Sequence, residues 1–465
     1  MPPIAQCPAA PSVAPCPAVP TETLVPTMPT AALGPVVREL LDWLWAAAPA
    51  LPAEVEQRAQ RLWLDTVSCA RSGLQADEPR RWLAVQADTE RGPVPLPGSA
   101  LRLGAGAAAT ALALGACWDE ACEGLAMAHG RPGVPVVAAL WSQLGALQPS
   151  WAALWRASAV GYEVAARLGA SLRIRPGMHV DGVWGAFGAA AALVHLHGGT
   201  AAQAAAAVES CATQLPFSLY RPVRQGATVR NLYLGHSAWL GLQGAQAALA
   251  GLGTPQGALD DVATLMLDPA AAGAWLPPGR WLVMDSYWKP FAAVRHLHYG
   301  AQAALGWHGL DLDPAALDTI DLHIYPEALQ YCANRDPQSP LAAQFSLSFG
   351  VAAALAFGDL SPAEFRAPRF LDPALRRLEA LVRVHADPQA YPGATRGARL
   401  LLRAGAQQWQ LEQGAVTGDP GHPPSVAQVQ VKFSRYTASD ASMADWARRV
   451  TQDPPGAPAR WPDAD

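Results

Sequence analysis

Lys289 and Lys432 are the only lysines among 33 lysines and arginines, and asparagine (Asn231, Asn334) is just as rare. A coding bias that turns cations into arginine wherever arginine serves leaves lysine where a compact, hydrated ammonium with a tunable pKa does what a planar guanidinium cannot. Lys432, in Val431-Lys432-Phe433, reads equally well as a chance survivor. Lys289 opens the densest run of donors in a chain that is 15% charged: Lys289-Pro290-Phe291-Ala292-Ala293-Val294-Arg295-His296-Leu297-His298. Pro290 predicts a helix entered just after it, with Arg295 and His298 three residues apart on one face. Such a cluster suits an anion carrying several carboxylates.

Three other segments hold polar groups in apolar surroundings. Cys117-Trp118-Asp119-Glu120-Ala121-Cys122-Glu123 is followed by His129-Gly130-Arg131-Pro132-Gly133. Met178-His179-Val180-Asp181-Gly182 places a histidine before a glycine-punctuated helix start, and Arg221 to His236 gathers Arg221, Arg224, Arg230, Tyr233 and His236. His129 and His179 are the residues that titrate near neutral pH and so are the acid and base candidates. His236 and His296 read as structural, Glu163 as a helix-surface salt-bridge group, and Cys117 as a buried thiol.

The elements that must position these groups are mostly helical. From Leu51, Val55, Ala59, Leu62 and Thr66 recur at the spacing of one buried face, ending at Gly73. Trp151 to Leu168, Gly185 to Leu196 and Ala201 to Gln214 repeat the pattern as Ala-rich helices, with no β-like alternation before residue 280. Leu317 to Tyr325 alternates as a strand, Leu381 to His385 reads as another, and Leu400 to Leu411 as a hairpin turning near Gly405. Ser361-Pro362-Ala363-Glu364 is a capping box, Ser439 to Val450 a helix, and the tail from Pro454 frayed. The expected organisation is a Pro-rich disordered leader over 1–35, a helical domain over 36–285, an α+β lid over 286–417 and a C-terminal segment over 418–465 that rejoins the helical domain.

A chain of 465 residues, 51% hydrophobic with a net charge of −5, can bury large cores and gives no reason to expect nucleic acid or a membrane as partner. Seven scattered cysteines lack paired or zinc-ligand spacing and read as reduced thiols of a cytoplasmic protein. Neither a signal peptide nor a transmembrane span is indicated, and no dinucleotide, P-loop, zinc-protease or serine-hydrolase motif occurs.

Taken in order, Leu62 to Val67, Gly161 to Arg167, His179 to Gly188, Gly226 to Gly235, Lys289 to His298, Gln344-Phe345-Ser346 and Lys432-Phe433 resemble landmarks of the MmgE/PrpD family, which includes 2-methylcitrate dehydratase, cis-aconitate decarboxylase and an iminodisuccinate epimerase. The likeness spans about Leu33 to Arg449. It implies a mainly α fold with a large all-helical domain and a smaller α+β lid, a homodimer, a site between the two parts, and neither metal nor organic cofactor. Departures lie in the site. Leu114 and Cys117 replace the family's leading His and first Asp, Asp119 and Glu120 keep only its later acids, and Arg230 stands in place of a lysine.

The resemblance therefore implies a lyase that dehydrates or decarboxylates a small di- or tricarboxylate. His129, His179 and Lys289 would be catalytic, and Arg230, Arg295, His298, Asp119, Glu120 and Cys117 would bind substrate. Cations neutralise the charge that grows when a proton leaves a carbon beside a carboxylate, and a base must sit on that proton. An epimerase with two bases, or a ligand-binding relative without activity, would use the same scaffold.

Overall fold

The computed structural model describes residues 33–462, apart from 269–270, 272–274, 311–312 and 394. Most of the leader expected over 1–35 lies outside the described residues. Among those described are nineteen α-helices and six short strands.

Small residues decide how the helical part packs. Trp184–Leu196 is buried nearly all round, as an apolar helix without a polar face must be, and Trp151–Ser171, Ala201–Ala212 and Leu232–Leu249 pack against it. Its approach to Trp151–Ser171 is close enough that a Cβ on Gly161 would stand 2.6 Å from the Gly188 carbonyl oxygen, so only glycine allows the crossing. The expected helix from Leu51 is Ala53–Gly73. One expectation before residue 280 is corrected: Arg91–Pro95 and Arg102–Leu103 form a small antiparallel pair. Two strands this short, containing Gly92 and Pro93, offer no alternation to read.

The second part is built on a four-stranded sheet in the order Val382–Ala386, Thr319–Ile324, Ala398–Ala404, Gln407–Gln413. The first pair is parallel and the others are antiparallel, with Leu322 opposite Val384 and Leu400. Ile320, Leu322 and Ile324 are fully buried, and helices Leu297–Leu305 and Leu347–Phe357 cover the sheet. Gly405, at positive φ, turns the hairpin, and Ser361 and Glu364 form the expected capping box.

After the sheet the chain returns to the helical part. The ambiguous text around Lys432 is the helix Val426–Tyr436, started by a Ser425–Gln428 capping box. Lys432, 5% exposed, pairs with Asp65 and donates to the Ala121 carbonyl at 2.7 Å. It is a buried tie, not a chance survivor. The next helix, Ala441–Gln452, sets Trp446 edge-on against Trp141 with centroids 5.9 Å apart. The tail is not frayed as expected: the Ala459 and Trp151 amides bond across to Pro149 and Ala457 at 2.7 and 3.0 Å.

Candidate active site

A cavity of about 540 Å³ opens where the two parts meet, within the range that holds small ligands. One of its buried charged groups is Glu120. The helix Ala105–Trp118 ends just before it, and Glu120 itself sits at φ 52, a left-handed conformation that disfavours side chains other than Gly, Asn or Asp. There its carboxylate meets three cations from three distant stretches. Arg131 donates to Oε1 at 3.0 Å, Arg230 bonds the same oxygen, and the Lys289 ammonium lies 3.3 Å from Oε2 and 2.7 Å from the Glu120 carbonyl. Burial pushes the Glu120 carboxyl up, but Arg131, Arg230 and Lys289 together hold it well below the usual range. Burial lowers the Lys289 pKa, with Glu120 only partly opposing.

Arg131 and Arg230 also share Asp181, the second carboxylate of the wall, with Arg230 3.6 Å away. The guanidinium of Arg230 lies 5.6 Å over the Phe345 ring. The cluster is thus a closed, buried network in which two acids hold three cations.

His179 borders this network. Its amide bonds the Ser218 carbonyl at 2.7 Å and its ring stacks on Tyr220 with centroids 5.6 Å apart. Nδ1 accepts the Asp181 amide at 3.1 Å, so the neutral ring carries its proton on Nε2. Burial, against the pull of Asp181, drives its pKa down to about 4, and the imidazole is neutral at pH 7. His129 follows the turn Ala126–Ala128 with φ 53 and stands exposed at the cavity wall. Desolvation by that wall and then the Arg173 charge lower its pKa, so it too is neutral.

Nearer the opening, Arg173 bonds the Gly169 and Ala170 carbonyls at 3.0 and 2.8 Å, Arg175 the Thr264 carbonyl at 2.8 Å, and Arg396 pairs with Glu327 at 3.0 Å. The lining carries seven cations (Arg131, Arg173, Arg175, Arg230, Lys289, Arg295, Arg396) against three carboxylates (Glu120, Asp181, Glu327), an excess of four positive charges with histidines neutral.

Of the residues expected from sequence, His129, His179, Lys289, Arg230, Arg295 and Glu120 line this one cavity. Three do not. His298 is fully buried between the Arg295 guanidinium, 3.1 Å from its Nδ1, and the Ala293 carbonyl, 3.0 Å from Nε2. The helix expected after Pro290 begins only at Leu297, so the assumed shared face does not exist; Arg295 and His298 meet instead across a turn. Asp119 faces away, held by Arg366 at 2.7 Å and the Ser72 hydroxyl at 2.7 Å. Cys117 is buried against Asn231, its thiol pushed up to about 12 by burial, too high for a nucleophile. Glu163 is likewise no surface group: it is fully buried, paired with Arg167 at 3.0 Å.

Arg131 and Asp181, which complete the network, are not among the site residues expected from sequence, and His296, expected to be structural, lines the cavity. His296 stacks on Tyr331 at 5.5 Å and shares a 2.7 Å hydrogen bond with the Tyr325 hydroxyl. The signal for Arg131 was present in His129-Gly130-Arg131, a cation beside an acid–base candidate. Among the described residues, no group of three or more His, Cys, Asp or Glu is placed to hold a metal ion, and no helix is long and apolar enough to cross a membrane.

Residues 42–267 match the family model of the MmgE/PrpD N-terminal domain, and residues 291–451 that of the MmgE/PrpD C-terminal domain. No curated protein matches the chain.

Proposed function

The chain belongs to the MmgE/PrpD family, a family of dehydratase-like lyases, and on that footing we propose that it is a cofactor-independent lyase acting on a small di- or tricarboxylic acid such as 2-methylcitrate. The observation that carries this reading is the juxtaposition of neutral imidazoles with a strongly cationic wall in one cavity.

Arg173, Arg175 and Arg396 receive the substrate's outer carboxylates, since none of them is committed to the buried network. His129, neutral and without a side-chain hydrogen bond among the described residues, removes the proton next to a carboxylate. The electron pair moves into that carboxylate as an enediolate, and Lys289, Arg230 and Arg131 stabilise the charge there; groups fixed in advance cost no reorganisation at the moment of reaction. The enediolate then expels the hydroxyl on the neighbouring carbon as the alkene forms. His129, now carrying that proton, passes it to the departing hydroxyl, which leaves as water, while the His179 Nε2–H steadies the leaving oxygen with a hydrogen bond. Glu120 and Asp181 position the cations and do not take the substrate proton.

An epimerase needs a second base on the opposite face. The Asp181 amide on His179 Nδ1 leaves Nε2 protonated and favours elimination instead. The reading also makes the protein a cytoplasmic homodimer: the family resemblance supports the dimer, and the free, buried Cys69, Cys117, Cys122, Cys211 and Cys332 suit a reducing compartment.

The test is to incubate the purified protein with 2-methylcitrate, citrate, cis-aconitate and related acids while following alkene absorbance. One or more is turned over, and His129→Gln and His179→Gln each lower kcat about 10²- to 10⁴-fold. Thermal stabilisation by these acids with no product from any of them would instead mark a ligand-binding relative.

A further inference from the structure

Beyond the Asp119–Glu120 turn lies a second cleft, of about 410 Å³, whose polar lining is Ser72, Ser361, Arg366, Arg369, Arg435 and Tyr436. Every charged group on its wall is a cation. The carboxylates that pair with these arginines, Asp119, Glu364 and Asp359, stand outside the lining. Each arginine engages its carboxylate through one terminal nitrogen, Arg366 through Nη2 at 2.7 and 2.9 Å and Arg435 through Nη1 at 2.6 Å. A guanidinium has five N–H donors in a fixed fork, so each keeps donors to offer. The side chains remain 37, 49 and 49% exposed for Arg366, Arg369 and Arg435. Arg369 is also stacked on Phe357 at 5.1 Å, so the group is oriented before any ligand arrives.

A second observation points to an occupant. Tyr436 is 4% exposed, and its buried hydroxyl has no hydrogen-bond partner. Buried phenols in folded proteins are normally paired. Here an unpaired donor borders an arginine-lined space.

We propose that this cleft is a second anion site, taking a small, multiply charged oxyanion, either a phosphate compound or a polycarboxylate, through Arg366, Arg369 and Arg435 with the Tyr436 hydroxyl as a further donor. Planar forks on several sides recognise either chemistry. Arg366 holds Asp119, and Asp119 directly precedes Glu120, so an anion that draws Arg366 toward itself acts on the turn that carries the catalytic cavity's central carboxylate. The site is therefore placed to regulate the cavity as well as to bind.

Isothermal titration of the full chain with pyrophosphate and, in a separate arm, with citrate tests this. At least one arm gives a saturable event that persists in Arg230→Gln, weakens tenfold or more in Arg369→Gln/Arg435→Gln, and weakens severalfold in Tyr436→Phe. Arg435→Gln alone, at an exposed position, gives the same direction should the double variant fold poorly. Binding of pyrophosphate alone assigns the site to phosphate compounds, and of citrate alone to carboxylates. Absence of binding in both arms, or binding that Arg435→Gln leaves unchanged, overturns the site, as does binding abolished only by Arg230→Gln, which would place the anion in the larger cavity.

Discussion

Glu120 carries more of the site than any other residue, because three buried cations depend on one carboxylate. Glu120→Gln keeps the shape and removes the charge, leaving Lys289 without its paired acid and Arg131 and Arg230 with Asp181 alone. Removing one partner from a buried ion network costs about 3–5 kcal/mol, and denaturant unfolding of the variant should show a loss of that size. The histidines make a different prediction. An unperturbed imidazole titrates at about 6.5, but His179 is held at about 4 and His129 is lowered; both therefore stay in the working, neutral form as pH falls through 6.5. The acid limb of kcat/KM lies below that value, and a limb centred at or above it would count against His129 as the base. Lys289 and Arg230 were legible in the sequence because a rare lysine and an ordered motif marked them. Arg131 and Asp181 were not, since no local period tells that residues 131, 181 and 230 converge. His298 lies outside the cavity lining because the backbone before Leu297 is a turn where the spacing predicts a helix.

At the scale of elements, two buried side chains hold helices in place. Lys432 ties Val426–Tyr436 to Ala53–Gly73 through Asp65. Lys432→Met should destabilise by about 3–5 kcal/mol, as expected for an orphaned buried charge, and adding Asp65→Asn should restore part of it; a double variant no better than the single would refute the tie. Glu123 accepts the Gly133 amide at 2.8 Å, capping Gly133–Trp141, and the Tyr162 hydroxyl at 3.3 Å. Burial raises its pKa to about 8. With a folded pKa above the unfolded one, its neutral form stabilises fully below about pH 4.5, and that contribution is lost as pH rises toward 8. Glu123→Gln cannot ionise, so its stability relative to the native chain should rise steadily between pH 5 and 8 in parallel melting curves. The strand Thr319–Ile324, the Gly405 hairpin and the Ser361 capping box were legible because alternation, a turn residue and cap chemistry are local signals. The pair Arg91–Pro95 with Arg102–Leu103 had no such signal, and the helix around Lys432 was ambiguous until its partner Asp65, far away in the chain, was in view.

For the whole molecule, the combination that matters is a helical part and a sheet-based part that each contribute charged groups and imidazoles to one cavity. Glu120, Arg131 and His179 come from the first, while Lys289, His296 and Arg396 come from later chain packed around the sheet. The family was readable in outline, as an ordered series of landmarks over most of the chain, and the matches over 42–267 and 291–451 bear that out. The depth of the network and the cleft behind it were not readable, because both depend on which way side chains turn at the seam. The function proposed for this cavity rests on removal of a proton from a carbon next to a carboxylate. Proton NMR of the acid panel in D2O, with native protein and with His129→Gln, tests it most directly. Native protein should convert at least one acid to its alkene, or exchange deuterium beside its carboxylate, at a rate that His129→Gln lowers by at least about a hundredfold. Neither exchange nor elimination in any acid, or equal rates in the two proteins, would contradict it.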